Sequence, residues 1–161
     1  MAISDFNKLN MDYSDIITPE LKLAIVKAEF NSNITNLLLK GAEELLTSQG
    51  IIEDQITIYK VPGAFEIPIL CEQLCKKKSV DGVITLGAVI RGETSHYDYV
   101  CSESARGIMN VGLKYAIPVS FGILTCENDK QAYDRAGGKY GNKGSDSAIA
   151  VLEMLKIYKD L

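Results

Sequence analysis

Residues 82–89 read GVITLGAV, and residues 90–97 continue as IRGETSHY, an apolar run that stops at a polar loop carrying a glycine. A run of that length bounded by polar residues reads as a strand buried on both faces, the kind found in parallel sheets with helices on each side. Upstream, LAIV at 23–26 has the same character. Asn31, Ser32 and Asn33 then offer N-caps to a helix in which Ile34, Leu37, Leu38, Ala42, Leu45 and Leu46 recur at helical spacing, and Gly50 sits where a left-handed C-terminal cap falls. A second strand over Ile56 to Val61 leads through Pro62-Gly63-Ala64 into a helix bearing Ile67, Leu70, Cys71, Leu74 and Cys75. Lys76, Lys77 and Lys78 close that helix at the end where its dipole favours cations.

Downstream of the starting strand, the spacing predicts a helix over Tyr97 to Lys114 and a strand over Val119 to Thr125. Polar Glu127-Asn128-Asp129, a short helix, a glycine-rich stretch from Gly137 to Gly144 and a last helix with Ala148, Val151, Leu152 and Leu155 complete the chain. Strands alternating with helices imply an α/β fold with a parallel sheet covered on both faces and joined by right-handed crossovers. Ligands of such sheets sit beyond the carboxyl ends of the strands, which directs attention to residues 28–33, 62–66, 90–96 and 125–129.

A chain of 161 residues, 47% hydrophobic and 24% charged, fits one globular domain, read here as residues 21–161 after a polar lead over residues 1–20. The net charge of -4 gives no general attraction to nucleic acid or anionic lipid, so any anion must be bound by a local pocket. No apolar stretch reaches the roughly 18 residues of a membrane span, and no basic-then-apolar leader opens the chain, so the expected location is the cytoplasm. The four cysteines form no CxxC pair and a single histidine is present, so no metal site is expected. Cys71 and Cys75, one helical turn apart on an apolar face, read as small hydrophobes.

Within the candidate loops, Phe30, with Asn31 beside it, can stack on a planar heterocycle or cap the core. Ala64, Phe65 and Glu66 form a small turn opening a helix, where Glu66 can accept hydrogen bonds from a polyol or simply favour the helix dipole. In Arg91-Gly92-Glu93-Thr94-Ser95-His96, the hydroxyls and amides of Thr94 and Ser95 suit a phosphate at a helix N-terminus. His96, the chain's one histidine, carries an imidazole fitted to proton transfer or to a structural role. Arg135 can fork a phosphate or lie solvated on its helix, and Lys143 adds a cation to the turn Gly141-Asn142-Lys143-Gly144. That turn lacks P-loop spacing, and no GxGxxG follows the first strand.

Taken in order, AEFNSNIT (28–35), VPGAFEIP (61–68), GAVIRGETSHYDYV (87–100), VSFGILT (119–125) and DRAGGKYGNKG (134–144) resemble the lumazine synthase family over nearly the whole chain, from Leu23 to about Leu155. The resemblance implies a flavodoxin-like three-layer sandwich with a four-stranded parallel sheet. It also implies condensation of 5-amino-6-(D-ribitylamino)uracil with 3,4-dihydroxy-2-butanone 4-phosphate, a transferase reaction of riboflavin biosynthesis that needs no metal or organic cofactor. Phe30 then corresponds to the ring that stacks on the pyrimidine, and Ala64, Phe65 and Glu66 to the segment holding the ribityl chain. Ala88, Val89 and Ile90 line the pyrimidine, Glu93 and Thr94 belong to the phosphate loop, and His96 moves protons. Phe121 and Arg135 are the residues a neighbouring subunit supplies, toward uracil and phosphate. Glu93 stands where the family often has a small residue, so its amide is the implied contact, and Ala88 replaces a frequent hydroxyl residue.

The same resemblance implies a homopentamer, with a sixty-subunit shell preferred over a free pentamer and riboflavin synthase as a candidate enclosed partner. The lead, with Tyr13, Ile16 and Ile17, either extends onto an adjacent subunit or is disordered. The rival classes are a flavodoxin-like flavin-binding carrier without turnover and a shell protein with a vestigial pocket.

Overall fold

In the computed structural model, which describes residues 12–161, strands β1 (Leu23–Ala28), β2 (Ile56–Val61), β3 (Gly82–Ile90) and β4 (Val119–Cys126) form one parallel sheet in the order β2-β1-β3-β4. Helices α1 (Ser32–Ser48), α2 (Ile67–Lys76), α3 (His96–Tyr115), α4 (Asp129–Arg135) and α5 (Lys143–Lys159) connect the strands and cover the sheet. β1 is buried along its length and β3 as far as Ala88, which is why both read as uninterrupted apolar runs. β2 lies at an edge and leaves Thr57 and Ile58 exposed.

Side chains alternate across a strand, so each central strand feeds two cores. Ile34, Leu38 and Leu46 of α1 join Val151 and Leu152 of α5 against Leu23, Ile25, Ile84 and Leu86. On the other face, Ile67, Cys71 and Cys75 of α2 join Ile108 and Val111 of α3 against Ala24, Val26 and Val83. Each fully buried Leu or Ile contributes about 1.5–3 kcal/mol over its exposed state. Burial also pushes the Cys71 thiol up to about 12, as befits a cysteine used for packing. Lys27 is the exception in β1. It is 1% exposed, and its ammonium is satisfied by Asn36 Oδ1 at 2.8 Å and Glu29 Oε1 at 3.0 Å.

Three local features differ from the sequence reading or extend it. Asn31 precedes α1 in a left-handed conformation (φ 56°), which asparagine tolerates, and its side chain makes no cap. That side chain instead donates to the Ala88 carbonyl at 2.9 Å, tying the exit of β1 to the end of β3. The glycine-rich stretch builds a small antiparallel hairpin, β5 (Ala136–Gly138) with β6 (Gly141–Asn142), in which Gly137 and Gly141 take φ of 118° and 72°. Tyr13 is 1% exposed and its hydroxyl donates to Glu153 at 2.6 Å, while Lys156 and Lys159 donate to the Asp12 and Asp15 carbonyls at 2.7 and 2.6 Å. Tyr13, Ile16 and Ile17 thus pack on the chain's own core; the rest of the lead, residues 1–11, lies outside the described residues. Among the described residues no helix is long and apolar enough to cross a membrane.

Candidate active site

The chain leaves β1 toward β2 on one side and reaches β3 on the other, so the carboxyl ends of β1 and β3 meet at the topological switch point. A cleft of about 690 Å³ opens there, lined by Phe30, Gly63, Ala64, Phe65, Glu66, Ala88, Val89, Ile90, Gly92, Thr94, His96, Tyr97, Tyr99 and Val100. Phe30 is 70% exposed, so it does not cap the core. Its ring is held at the rim because the backbone after β1 stays paired to the chain after β2: Glu29 N–H donates to Val61 O at 2.8 Å, and Phe30 N–H to Pro62 O at 2.9 Å. Ala64, Phe65 and Glu66 form one 3₁₀ turn into α2, whose early Pro68 needs no N–H partner at that position.

The loop after β3 brings Thr94 and then His96, the first residue of α3, into the lining of the same cleft. The His96 N–H donates to Thr94 Oγ1 at 3.4 Å. The amides opening this 20-residue helix carry the positive end of its dipole, which favours an anion there. The floor is the end of β3, from half-buried Val89 and Ile90 to buried Ala88. Burial raises the Tyr97 phenol above its ordinary value, keeping it a neutral wall at physiological pH.

A second hollow, of about 350 Å³, runs along the outer edge of β4 beside α5 and contains Phe121, Thr125, Arg135, Lys143, Asp146 and Ser147. Arg135 is half-buried, which departs from a freely solvated helix arginine. One of its guanidinium nitrogens donates to the Gln131 carbonyl at 3.0 Å, and the group faces the Tyr140 ring 4.9 Å from its centroid. Lys143 pairs with Asp146, and Ser147 Oγ donates to the Lys143 carbonyl at 2.7 Å.

The sequence-predicted residues therefore fall into two groups. Phe30, Ala64, Phe65, Glu66, Ala88, Val89, Ile90, Thr94 and His96 share the cleft, whereas Phe121, Arg135 and Lys143 share the second hollow, and no residue lines both. Asn31 and Glu93 line neither: Asn31 is spent on Ala88, and Glu93 is exposed. Tyr97, Tyr99 and Val100 were missed, although positions 96, 99 and 100 share a helix face and the signal was present in that spacing.

A family model described as 6,7-dimethyl-8-ribityllumazine synthase matches residues 20–159. The chain belongs to the 6,7-dimethyl-8-ribityllumazine synthase family. A curated 6,7-dimethyl-8-ribityllumazine synthase from Pediococcus pentosaceus is 52% identical over 138 residues, covering 86% of this chain and 88% of the relative. The lumazine synthase match contains every strand and helix from β1 to α5, and with them both hollows.

Proposed function

We propose that the chain is a transferase that condenses 5-amino-6-(D-ribitylamino)uracil with 3,4-dihydroxy-2-butanone 4-phosphate, releasing phosphate and water, in riboflavin biosynthesis. The observation that carries this reading is one cleft whose lining includes both an exposed aromatic ring, Phe30, and a helix N-terminus with His96. In this reading the Phe30 ring stacks on the pyrimidine, Glu66 and the turn before it hold the ribityl chain, and the strand end from Ala88 to Ile90 lines the heterocycle. In the same reading the phosphate is received by the amides of Thr94, in the cleft lining, and of its neighbour Glu93, whose side chain stays exposed outside it.

The primary amine of the uracil attacks the ketone and water leaves, giving an imine. Phosphate is then eliminated, the resulting enol tautomerises, and the ribityl-bearing nitrogen closes the ring with loss of a second water. In this reading His96, which lines the cleft, moves the protons of these steps, worth roughly a hundred- to ten-thousand-fold at most. Orientation of two intrinsically reactive molecules supplies much of the remainder.

Phe121, Arg135 and Lys143 complete the cleft of a neighbouring copy. Their separation from the cleft within one chain supports that arrangement, as does the exposure of Phe65, Ile69, Met109 and Leu113. A head-to-tail contact of this kind closes into a ring, here a pentamer, with a sixty-subunit shell that could enclose riboflavin synthase as the larger assembly. The single domain over residues 21–161 and a cytoplasmic location belong to the same reading.

The test is steady-state kinetics of the assembled protein with both substrates. Arg135→Ala is expected to lose more activity than His96→Ala, because a phosphate dianion then lacks its bidentate partner. Wild-type rates in both variants would remove these assignments, and tight flavin binding without turnover would favour a carrier.

A further inference from the structure

Arg91 opens the loop that leads to His96, yet its side chain is absent from the lining of the cleft. Its backbone N–H donates to the carbonyl of Cys126, the last residue of β4, at 2.9 Å. Its Nε donates to Glu127 Oε2 at 2.8 Å, and its two terminal nitrogens reach the two oxygens of Asp98 at 3.0 and 3.4 Å. The guanidinium also lies over the Tyr97 ring, 4.0 Å from the centroid. All three guanidinium nitrogens are engaged with protein, so Arg91 cannot fork a substrate phosphate without abandoning these partners.

The position of the two carboxylates gives the clamp a purpose beyond fastening. Asp98 lies in the first turn of α3, and Glu127 directly follows β4. Asp98 N–H donates to the Ser95 carbonyl of the loop 92–96 at 3.0 Å and Glu127 meets Arg91, the residue that opens it, and charges closer than a Debye length of about 8–10 Å are only partly screened by salt. Left unpaired, each would oppose the anion that the helix N-terminus attracts. The clamp also reaches the second hollow, since Glu127 N–H donates to Gln131 Oε1 at 3.0 Å and the Gln131 carbonyl holds Arg135.

We propose that Arg91 is a positioning residue for the phosphate-bearing substrate: it fixes the loop 92–96 against β4 and neutralises Asp98 and Glu127, without touching substrate. The proposal rests on reading that loop as the phosphate site. Kinetics of the assembled Arg91→Met variant should show KM for the butanone phosphate raised about fivefold or more, with KM for the uracil unmoved. Adding Asp98→Asn and Glu127→Gln to Arg91→Met should recover most of that loss, a response that a purely structural brace would not give. Arg91→Lys keeps a cation without the fork and should show an intermediate KM, which preserves the test if Arg91→Met does not assemble.

A wild-type KM in Arg91→Met or in Arg91→Lys, an equal rise in both KM values, or no recovery in the combined variant overturns the proposal. Hydrogen exchange with inorganic phosphate as the probe separates it from the reading beneath it. Phosphate should slow exchange across residues 91–97 in the wild type and less so in Arg91→Met. Absence of protection in the wild type removes the phosphate-loop reading and the proposal with it, while equal protection in both proteins removes the role of Arg91 alone.

Discussion

Tyr140 lies outside the cleft and still bears on its proposed chemistry, because both Arg135 and Lys139 place a cation over its ring, at 4.9 and 5.2 Å. A cation held this way at an exposed site gains about 0.5–1 kcal/mol, enough to bias the rotamers of a long arginine. Tyr140→Ala should therefore raise KM for the butanone phosphate about two- to fivefold, with Tyr140→Phe at the wild-type value. The same change made on top of Arg135→Ala should add nothing, and a full additive loss would show that Tyr140 acts elsewhere. At this scale the sequence exposes residue chemistry but not residue partners. The position of Phe30 and His96 beside strand ends was legible from the apolar runs before them, whereas residue type left their use open, stacking or core cap for the one, proton transfer or structure for the other. The use of Asn31 was not legible, since a polar residue after a strand reads as a helix cap, and its actual partner, Ala88, is 57 positions away. Arg91 was likewise legible as a cation in a loop, but its carboxylate partner Glu127 comes from a different strand end.

At the scale of elements, the contact of α5 with β4 and α1 depends on two glycines. A Cβ on Gly122 would stand 2.2 Å from the Thr85 carbonyl oxygen and 2.5 Å from Ser147 Oγ, and one on Gly144 would stand 1.9 Å from the Leu38 carbonyl oxygen. Backbone cannot yield as a flexible side chain does, so Gly122→Ala and Gly144→Ala should each cost about 1–3 kcal/mol or more. Gly92 has nothing within 4 Å of its Cβ position, so Gly92→Ala should leave the thermal midpoint unchanged. Calorimetry of the three variants checks this, and wild-type midpoints for Gly122→Ala and Gly144→Ala would contradict the packing described. Long helices were readable because burial imposes a period of 3.6 residues on them, and the central strands because burial on both faces makes them uninterrupted apolar runs. The β5–β6 hairpin was unreadable because strands of three and two residues are too short to show a period. Close backbone approach at Gly122 leaves no trace in sequence, where it looks like any glycine in a strand.

For the whole molecule, the deciding feature is that the two hollows of one chain have no residue in common. Sequence could place Phe121 on a strand and Arg135 on a helix, and the family resemblance implied that a neighbour supplies them; within the folded chain they lie in a different hollow from Phe30 and His96. If each working site joins the cleft of one copy to the second hollow of the next, damage to the two halves can be carried by different chains. Phe30→Ala spoils the cleft and leaves the second hollow intact, and Arg135→Ala does the reverse. Either variant alone then contains no undamaged site. Mixed in equal amounts, dissociated and reassembled at random, they should form undamaged sites wherever an Arg135→Ala cleft meets a Phe30→Ala neighbour, about a quarter of all positions. Activity should rise toward that fraction of wild type and should track the extent of subunit exchange measured with tagged chains. Sites built within single chains admit no such rescue, so a mixture that exchanges fully yet stays as inactive as its components would end the shared-site reading while leaving the fold and family assignment intact.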